Sequence, residues 1–117
     1  MLGFGTYIRC QREKLSEGNK SYSLRQVALR IEVEPSFLSK VERETVPPPS
    51  EAKIIALAEV LNEDRDVLLA LAGKVSSDLL KIIKDRPALF AELIRKLKTE
   101  PDHAVLRIVR EVTDGEW

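Results

Sequence analysis

Residues 23–44, SLRQVALRIEVEPSFLSKVERE, decide the fold of this chain, because they combine two short amphipathic patterns with a tight break between them. The first pattern has apolar residues at the i, i+3, i+4, i+7 spacing of one helix face, namely Leu24, Val27, Ala28 and Ile31. Pro35 suits the first turn of a second helix, where no N–H donor is needed. The stretch therefore predicts helices over residues 24–31 and 35–42.

The second helix has two different faces. Leu38 and Val41 lie three residues apart on the side turned back toward the first helix. The outer side carries short donors and cations, namely Ser36, Ser39, Lys40 and Arg43. Two short helices at a steep angle, the second polar on its outer side, are the arrangement that reads the major groove of DNA. Periodicity alone is equally consistent with a merely solvated helix face.

The spacing of individual residues adds a resemblance to a known family. Five residues fall on the pattern A-x-x-x-G-V-x-x-x-x-[IL]-S-x-x-E-x-G, namely Ala28, Val33, Leu38, Ser39 and Glu42. The chain thus resembles the helix-turn-helix family of the Cro and phage-repressor type, also called the xenobiotic-response-element family. The resemblance covers about residues 4–72 and includes Tyr7, Ile8, Arg12, Pro48, Pro49, Ile55, Ala58, Leu61, Val67 and Leu68. It implies a five-helix repressor-like domain.

Two positions depart from the family pattern. Glu32 stands where the family has its turn glycine, and Glu44 where it has the glycine after the recognition helix. A non-glycine residue at positive φ costs on the order of 1 kcal/mol. We therefore expect the fold to be retained, with a turn whose geometry can differ from that of the family. The loop from Leu15 to Ser23 is longer than the usual link, and Tyr22 is expected to supply its apolar plug.

The resemblance implies roles for single side chains. The positions expected to read bases are Pro35, Ser36, Ser39 and Lys40, because lysine donates to guanine, serine serves several bases and proline can contact a thymine methyl group. Contacts to the DNA backbone are expected from Leu24 (through its N–H), Arg25, Phe37 and Arg43. Plain surface charge remains the alternative for the arginines, and a core position for the phenylalanine. Arg12 and Glu42 are implied as a structural ion pair.

Helical periodicity continues to the end of the chain, and the sequence predicts eight helices and no strand. The first runs over about residues 6–15, and three prolines at 47–49 force an extended connector. Ser23 is expected to cap the helix over residues 24–31, and Ser50 and Asp64 are expected to cap two later helices, the second closed by Gly73. We place the boundary there, giving a DNA-binding domain over residues 1–73 and a C-terminal extension of three helices over 74–117.

Apolar stripes mark the last two helices. Their members are Leu89, Phe90, Leu93, Ile94 and Leu97, then Val105, Ile108, Val109 and Val112. Three short helices cannot bury these stripes among themselves, and an exposed patch of several hundred Å² is unusual for a monomer. We therefore expect these residues to form a homodimer interface, with folding back onto the preceding helices as the alternative.

Composition excludes other classes of protein. No apolar run approaches the roughly 18 residues of a membrane span, and the first 14 residues lack a signal-peptide core, so no membrane partner and a cytoplasmic location are expected. His103 and Cys10 are each single of their kind, which leaves no zinc-ligand cluster. Cys10 is expected to be a small buried hydrophobe, and Gly3-Phe4-Gly5 lacks the remaining features of a nucleotide loop. No enzyme, metal or cofactor is expected.

Net charge is formally zero but unevenly spread, at +2 over residues 1–50, −3 over 51–73 and +1 over 74–117. The positive charge over residues 1–50 is too small for strong non-specific attraction to nucleic acid, which favours a specific dimeric complex. The sequence therefore predicts a DNA-binding transcriptional regulator, repression being the commoner outcome, acting as a homodimer on an inverted repeat. Two alternatives remain, an antitoxin whose C-terminal helices bind a toxin and a restriction-modification controller. An inducer pocket has little room in the extension.

Overall fold

The computed structural model describes residues 2–115, and all regular structure within them is helical. The chain begins with α1 (Phe4–Ser16), α2 (Leu24–Arg30), α3 (Pro35–Glu42), α4 (Glu51–Leu61) and α5 (Arg65–Leu71). It ends with α6 (Ser77–Asp85), α7 (Pro87–Leu97) and α8 (Asp102–Asp114). A 3₁₀ turn over Lys20–Tyr22 lies where the sequence indicated only a loop. Eight α-helices and no strand over residues 2–115 confirm the all-α prediction.

The chain divides into two compact units, residues 1–76 and 77–117. Gly73 lies a few residues before this division and ends α5 with a φ of +74°. Its N–H donates to the Ala70 carbonyl at 2.9 Å, and the next N–H, of Lys74, donates to the Leu69 carbonyl at 2.8 Å. These two bonds satisfy carbonyl groups that the helix end would otherwise leave unpaired, which is the usual use of glycine there.

Apolar side chains from α1 to α5, nearly all of them aliphatic, build the core of the first unit. Its buried members are Phe4, Ile8, Val27, Ala28, Ile31, Leu38, Val41, Ile54, Leu57, Ala58, Leu61, Leu68 and Leu69. One position departs from the expected pattern: Val67 is 48% exposed, and Leu69 is buried instead. Because α5 carries apolar residues at 67, 68, 69 and 71, periodicity alone does not decide which arc of this short helix faces the core. Cys10 is half-buried rather than buried.

Side-chain caps set the starts of three helices at the positions expected from the sequence. The Ser23 hydroxyl accepts from the N–H of Gln26, and the Ser50 hydroxyl accepts from the N–H of Lys53. The Asp64 carboxylate accepts from two N–H groups in the first turn of α5, at 2.8 and 3.2 Å. Each cap satisfies a donor that has no partner within its helix, and losing one costs about 1 kcal/mol.

Two glycines allow the start of α1 to approach the end of α3 closely. A Cβ atom at Gly5 would lie 2.1 Å from the carbonyl oxygen of Val41, and one at Gly3 would lie 2.0 Å from a carboxylate oxygen of Glu44. The same Glu44 oxygen accepts a hydrogen bond from the N–H of Thr6 at 3.3 Å. The Gly3-x-Gly5 pair therefore has a packing role, and the Glu44 charge lies favourably at the N-terminus of α1.

The second unit consists of three amphipathic helices, and none of residues 77–115 is buried. Ten of its large aliphatic side chains are between 39% and 65% exposed. Six of these belong to the stripes read from the sequence, namely Leu89, Leu93, Ile94, Ile108, Val109 and Val112. The other stripe residues, Phe90, Leu97 and Val105, are half-buried. The apolar faces of α7 and α8 are thus largely open.

Candidate nucleic-acid interface

The two faces of α3 have opposite surroundings. Leu38 and Val41 are each 2% exposed and hold the helix against the core. Ser36 and Lys40 are exposed, and Ser39 is half-buried. Pro35 begins the helix and is half-buried. The outer face therefore offers hydroxyl groups and a cation from a backbone that the core holds in place, which suits the recognition of base edges.

The turn before α3 keeps the backbone conformation that glycine would adopt. Glu32 has a φ of +58°, and the Val33 N–H donates to the Ala28 carbonyl at 3.0 Å. The ammonium group of Lys53, from α4, donates to the carbonyl groups of Ile31 at 2.9 Å and Glu32 at 3.3 Å. The glutamate is thus accommodated without reshaping the turn. Lys53 was missed by sequence reasoning, because its partners lie more than twenty residues earlier and no local signal links them.

The end of α3 is built in the same way. Glu44 has a φ of +60°, its N–H donates to the Val41 carbonyl, and the Thr45 N–H donates to the Lys40 carbonyl, both at 3.0 Å. The Thr45 hydroxyl donates to the same Lys40 carbonyl at 3.2 Å. These bonds complete the helix end. With its carboxylate bonded to α1, Glu44 has a structural role that the sequence analysis, which treated it only as a replacement for the family's glycine, did not identify.

A paired arginine and glutamate join α1 to α3. Arg12 Nε lies 2.7 Å from Glu42 Oε2, and Arg12 Nη2 lies 2.9 Å from Glu42 Oε1, a bidentate pair. The two side chains are only 11% and 5% exposed. The hydrogen bond with Glu42 raises the pKa of Arg12 above its usual value, so the guanidinium group stays charged. Because both groups lie out of water, removing one partner would leave a buried charge and cost about 3–5 kcal/mol.

The loop before α2 is ordered by side chains from both neighbouring helices. Arg12 Nη1 donates to the Tyr22 carbonyl at 3.3 Å, which extends the α1–α3 pair to this loop. Arg30 lies over the Tyr22 ring, 4.8 Å from its centroid, and also donates to the Ser21 carbonyl. Tyr22 itself is half-buried against the core, in the role expected for it. The Asn19 side chain accepts from the N–H and hydroxyl of Ser21.

The four residues expected at the DNA backbone divide into two groups. Arg25 and Arg43 are exposed, and Arg43 Nε donates to the Ser39 carbonyl at 3.3 Å within its own helix. Leu24 and Phe37 are half-buried and pack against the core. The arginines therefore present cations at the surface, whereas the two apolar side chains also contribute to the packing of the first unit.

Residues 2–115 offer no membrane-spanning helix and no cluster of metal-binding side chains. No helix in that range is long and apolar enough to cross a membrane. The same residues contain no group of three or more histidine, cysteine, aspartate or glutamate side chains that could hold a metal ion. His103 is exposed at the start of α8.

Comparison with known proteins identifies the first unit. Residues 17–68 match a family model described as helix-turn-helix. The matched segment runs from the ordered loop through α2, α3 and α4 into α5, and so contains the turn, the polar face of α3 and most of the core. No curated protein and no solved structure matches the chain. Residues 17–68 are thus similar to the helix-turn-helix family of DNA-binding regulators of the Cro and phage-repressor type.

Proposed function

We propose that this chain is a sequence-specific transcriptional regulator that binds an inverted-repeat operator as a homodimer, most simply as a repressor. The observation that carries the proposal is the two-faced character of α3. Its outer face is polar, its inner face is buried, and the helix lies within the segment that matches the helix-turn-helix model. Operator occupancy would block polymerase and thereby lower transcription. A protein that regulates transcription in this way shares the compartment of the chromosome, which is the cytoplasm in a bacterial cell.

In this mechanism α3 enters the major groove. Lys40 donates to the O6 or N7 of a guanine, and Ser36 and Ser39 bond to base edges within reach. Pro35 contacts a thymine methyl group. Arg25 and Arg43 bind phosphates on either side, as does the backbone N–H of Leu24. The Phe37 ring lies against the sugar and backbone at the margin of the contact. The Arg12–Glu42 pair holds α3 against α1, so that these contacts need little reordering of the protein on binding.

The second unit supports the homodimer. The exposed fractions of the six exposed stripe residues correspond to roughly 550 Å² per protomer, a large part of the ~800 Å² that each partner buries in a standard interface. Residues 74–117 hold nine basic and eight acidic residues, so that electrostatic repulsion does not oppose self-association. The stripe on α7 and α8 would therefore pack against its own copy, and residues 1–73 would carry DNA binding.

Selection of bound DNA from a random pool by the full-length chain tests this function. A two-fold dimer with two recognition helices should enrich an inverted repeat whose half-site centres lie about 10 base pairs apart. A pool that shows no enriched sequence after repeated rounds would refute sequence-specific binding. Enrichment of a single unrepeated site would refute the dimeric mode while leaving DNA recognition in place.

A further inference from the structure

We propose that Lys20, in the loop between α1 and α2, binds a DNA phosphate and so extends the contact surface beyond the helix-turn-helix. The inference rests on the DNA-binding function proposed above. It concerns a residue to which neither the periodicity of the chain nor the family pattern assigns a role.

The first argument is the position of Lys20 on the surface. One shallow hollow is lined by Lys20, Ser21, Ser23 and Gln26. A second hollow is lined by Arg25, Gln26, Leu29, Val33, Glu34 and Pro35. Gln26 belongs to both, so the two hollows adjoin and link Lys20 to Pro35, the first residue of α3. A strand of DNA whose bases meet α3 would therefore pass its backbone close to this loop.

The second argument is the chemistry of the first hollow. Its lining consists of one cation, two hydroxyl side chains and one amide, and it includes no carboxylate. Ammonium, hydroxyl and amide groups all donate to phosphate oxygens of DNA. The Ser21 hydroxyl already donates to Asn19 Oδ1 at 2.6 Å, so the side-chain donors open to a phosphate are those of Lys20, Ser23 and Gln26. Glu34, which lines the second hollow beside Arg25, makes that part of the surface less favourable for a phosphate. Of the two hollows, the one containing Lys20 is thus the better phosphate site.

The third argument is the rigidity of the loop. Lys20 begins the 3₁₀ turn, which Asn19 caps and Arg30 holds through the Ser21 carbonyl and the Tyr22 ring. Arg12 bonds both the Tyr22 carbonyl and Glu42 of α3. The lysine therefore stands on a segment whose position relative to α3 is set by side-chain bonds. A phosphate contact made there would add little ordering cost and would act in register with base reading.

The test compares the salt dependence of DNA binding for full-length Lys20→Gln, Lys20→Arg and Lys14→Gln. Lys14 is exposed on α1, about 200° around the helix from Arg12 and so on the side away from α3. Binding to the selected operator and to random DNA is measured from about 50 to 200 mM salt. Each lost phosphate contact lowers the slope of log K against log salt by about 0.9. Lys20→Gln should show this loss of slope on both DNAs. The ratio of wild-type to variant affinity should therefore be about 3.5-fold larger at about 50 mM than at about 200 mM salt.

The controls separate this contact from general charge. Lys20→Arg should keep the wild-type slope, and Lys14→Gln should change it by much less than Lys20→Gln. An unchanged slope for Lys20→Gln, or an equal loss for both glutamine variants, overturns the inference while operator binding itself persists. If the wild-type chain binds neither DNA, the proposed function fails and this contact fails with it.

Discussion

The contact between α1 and α3 can be tested by Gly5→Ala, for which two physical effects have opposite signs. In a helix without neighbours, alanine is favoured over glycine by about 1 kcal/mol, so propensity alone predicts a more stable protein. In this fold the added Cβ would lie 2.1 Å from the Val41 carbonyl oxygen, which is backbone and cannot rotate away. Relief requires α1 and α3 to separate by about 1 Å, and overpacking of this kind costs about 1–3 kcal/mol or more.

We therefore expect Gly5→Ala to be destabilised by about 1–3 kcal/mol net, since the clash exceeds the gain in propensity. The assay is urea unfolding followed by helical circular dichroism at a fixed chain concentration, because dimerisation would make the midpoint concentration-dependent. Gly18→Ala is the matched control: Gly18 has a φ of +71° and no atom within 4 Å of an added Cβ. It should lose only the backbone term, about 1 kcal/mol.

The comparison of the two variants decides the interpretation. If the urea midpoint of Gly5→Ala equals or exceeds that of the wild type, α1 does not approach the end of α3 closely enough to require glycine at position 5. A loss in Gly5→Ala larger than that in Gly18→Ala would show that space, rather than backbone freedom, selects glycine at position 5.

The remaining predictions concern the recognition helix, its turn and the second unit. Lys40→Ala should weaken operator binding by about 1–3 kcal/mol and relax one base position per half-site, and equal weakening on random DNA would contradict base reading. Arg43→Ala should weaken binding to all sequences and reduce the salt slope by about one unit; selective loss on the operator would argue against a phosphate contact. Glu32→Gly should raise thermal stability by up to about 1 kcal/mol, because the Lys53 bonds go to main-chain carbonyl groups that glycine retains; a lower melting temperature would mean that the glutamate side chain stabilises the turn. A fragment ending at Gly73 should sediment as a monomer while the full chain sediments as a dimer, and a full chain that stays monomeric at tens of micromolar would refute the interface.

Local signals in the sequence predicted the positions of most helices. Ser23, Ser50 and Asp64 act on N–H groups two or three residues away, so that a helix start can be recognised without knowledge of the fold. The bounds of α3 followed from Pro35 and the apolar pair behind it, and its outer face followed from the same periodicity. The role proposed for that face in reading DNA came from the family spacing rather than from periodicity, which a solvated helix would satisfy equally.

The sequence by itself determined the helices, their caps and the helix-turn-helix register, because these depend on interactions among residues close together in the chain. Tertiary structure alone decided which arc of α5 is buried, that Lys53 closes the turn before α3, and that Glu44 bonds the start of α1 across the Gly3-x-Gly5 approach. The Lys53 and Glu44 contacts join segments more than twenty residues apart, and the buried arc of α5 depends on how that helix packs against its neighbours, α4 above all. Their meeting is set by the packing of the whole core, and no local pattern encodes it.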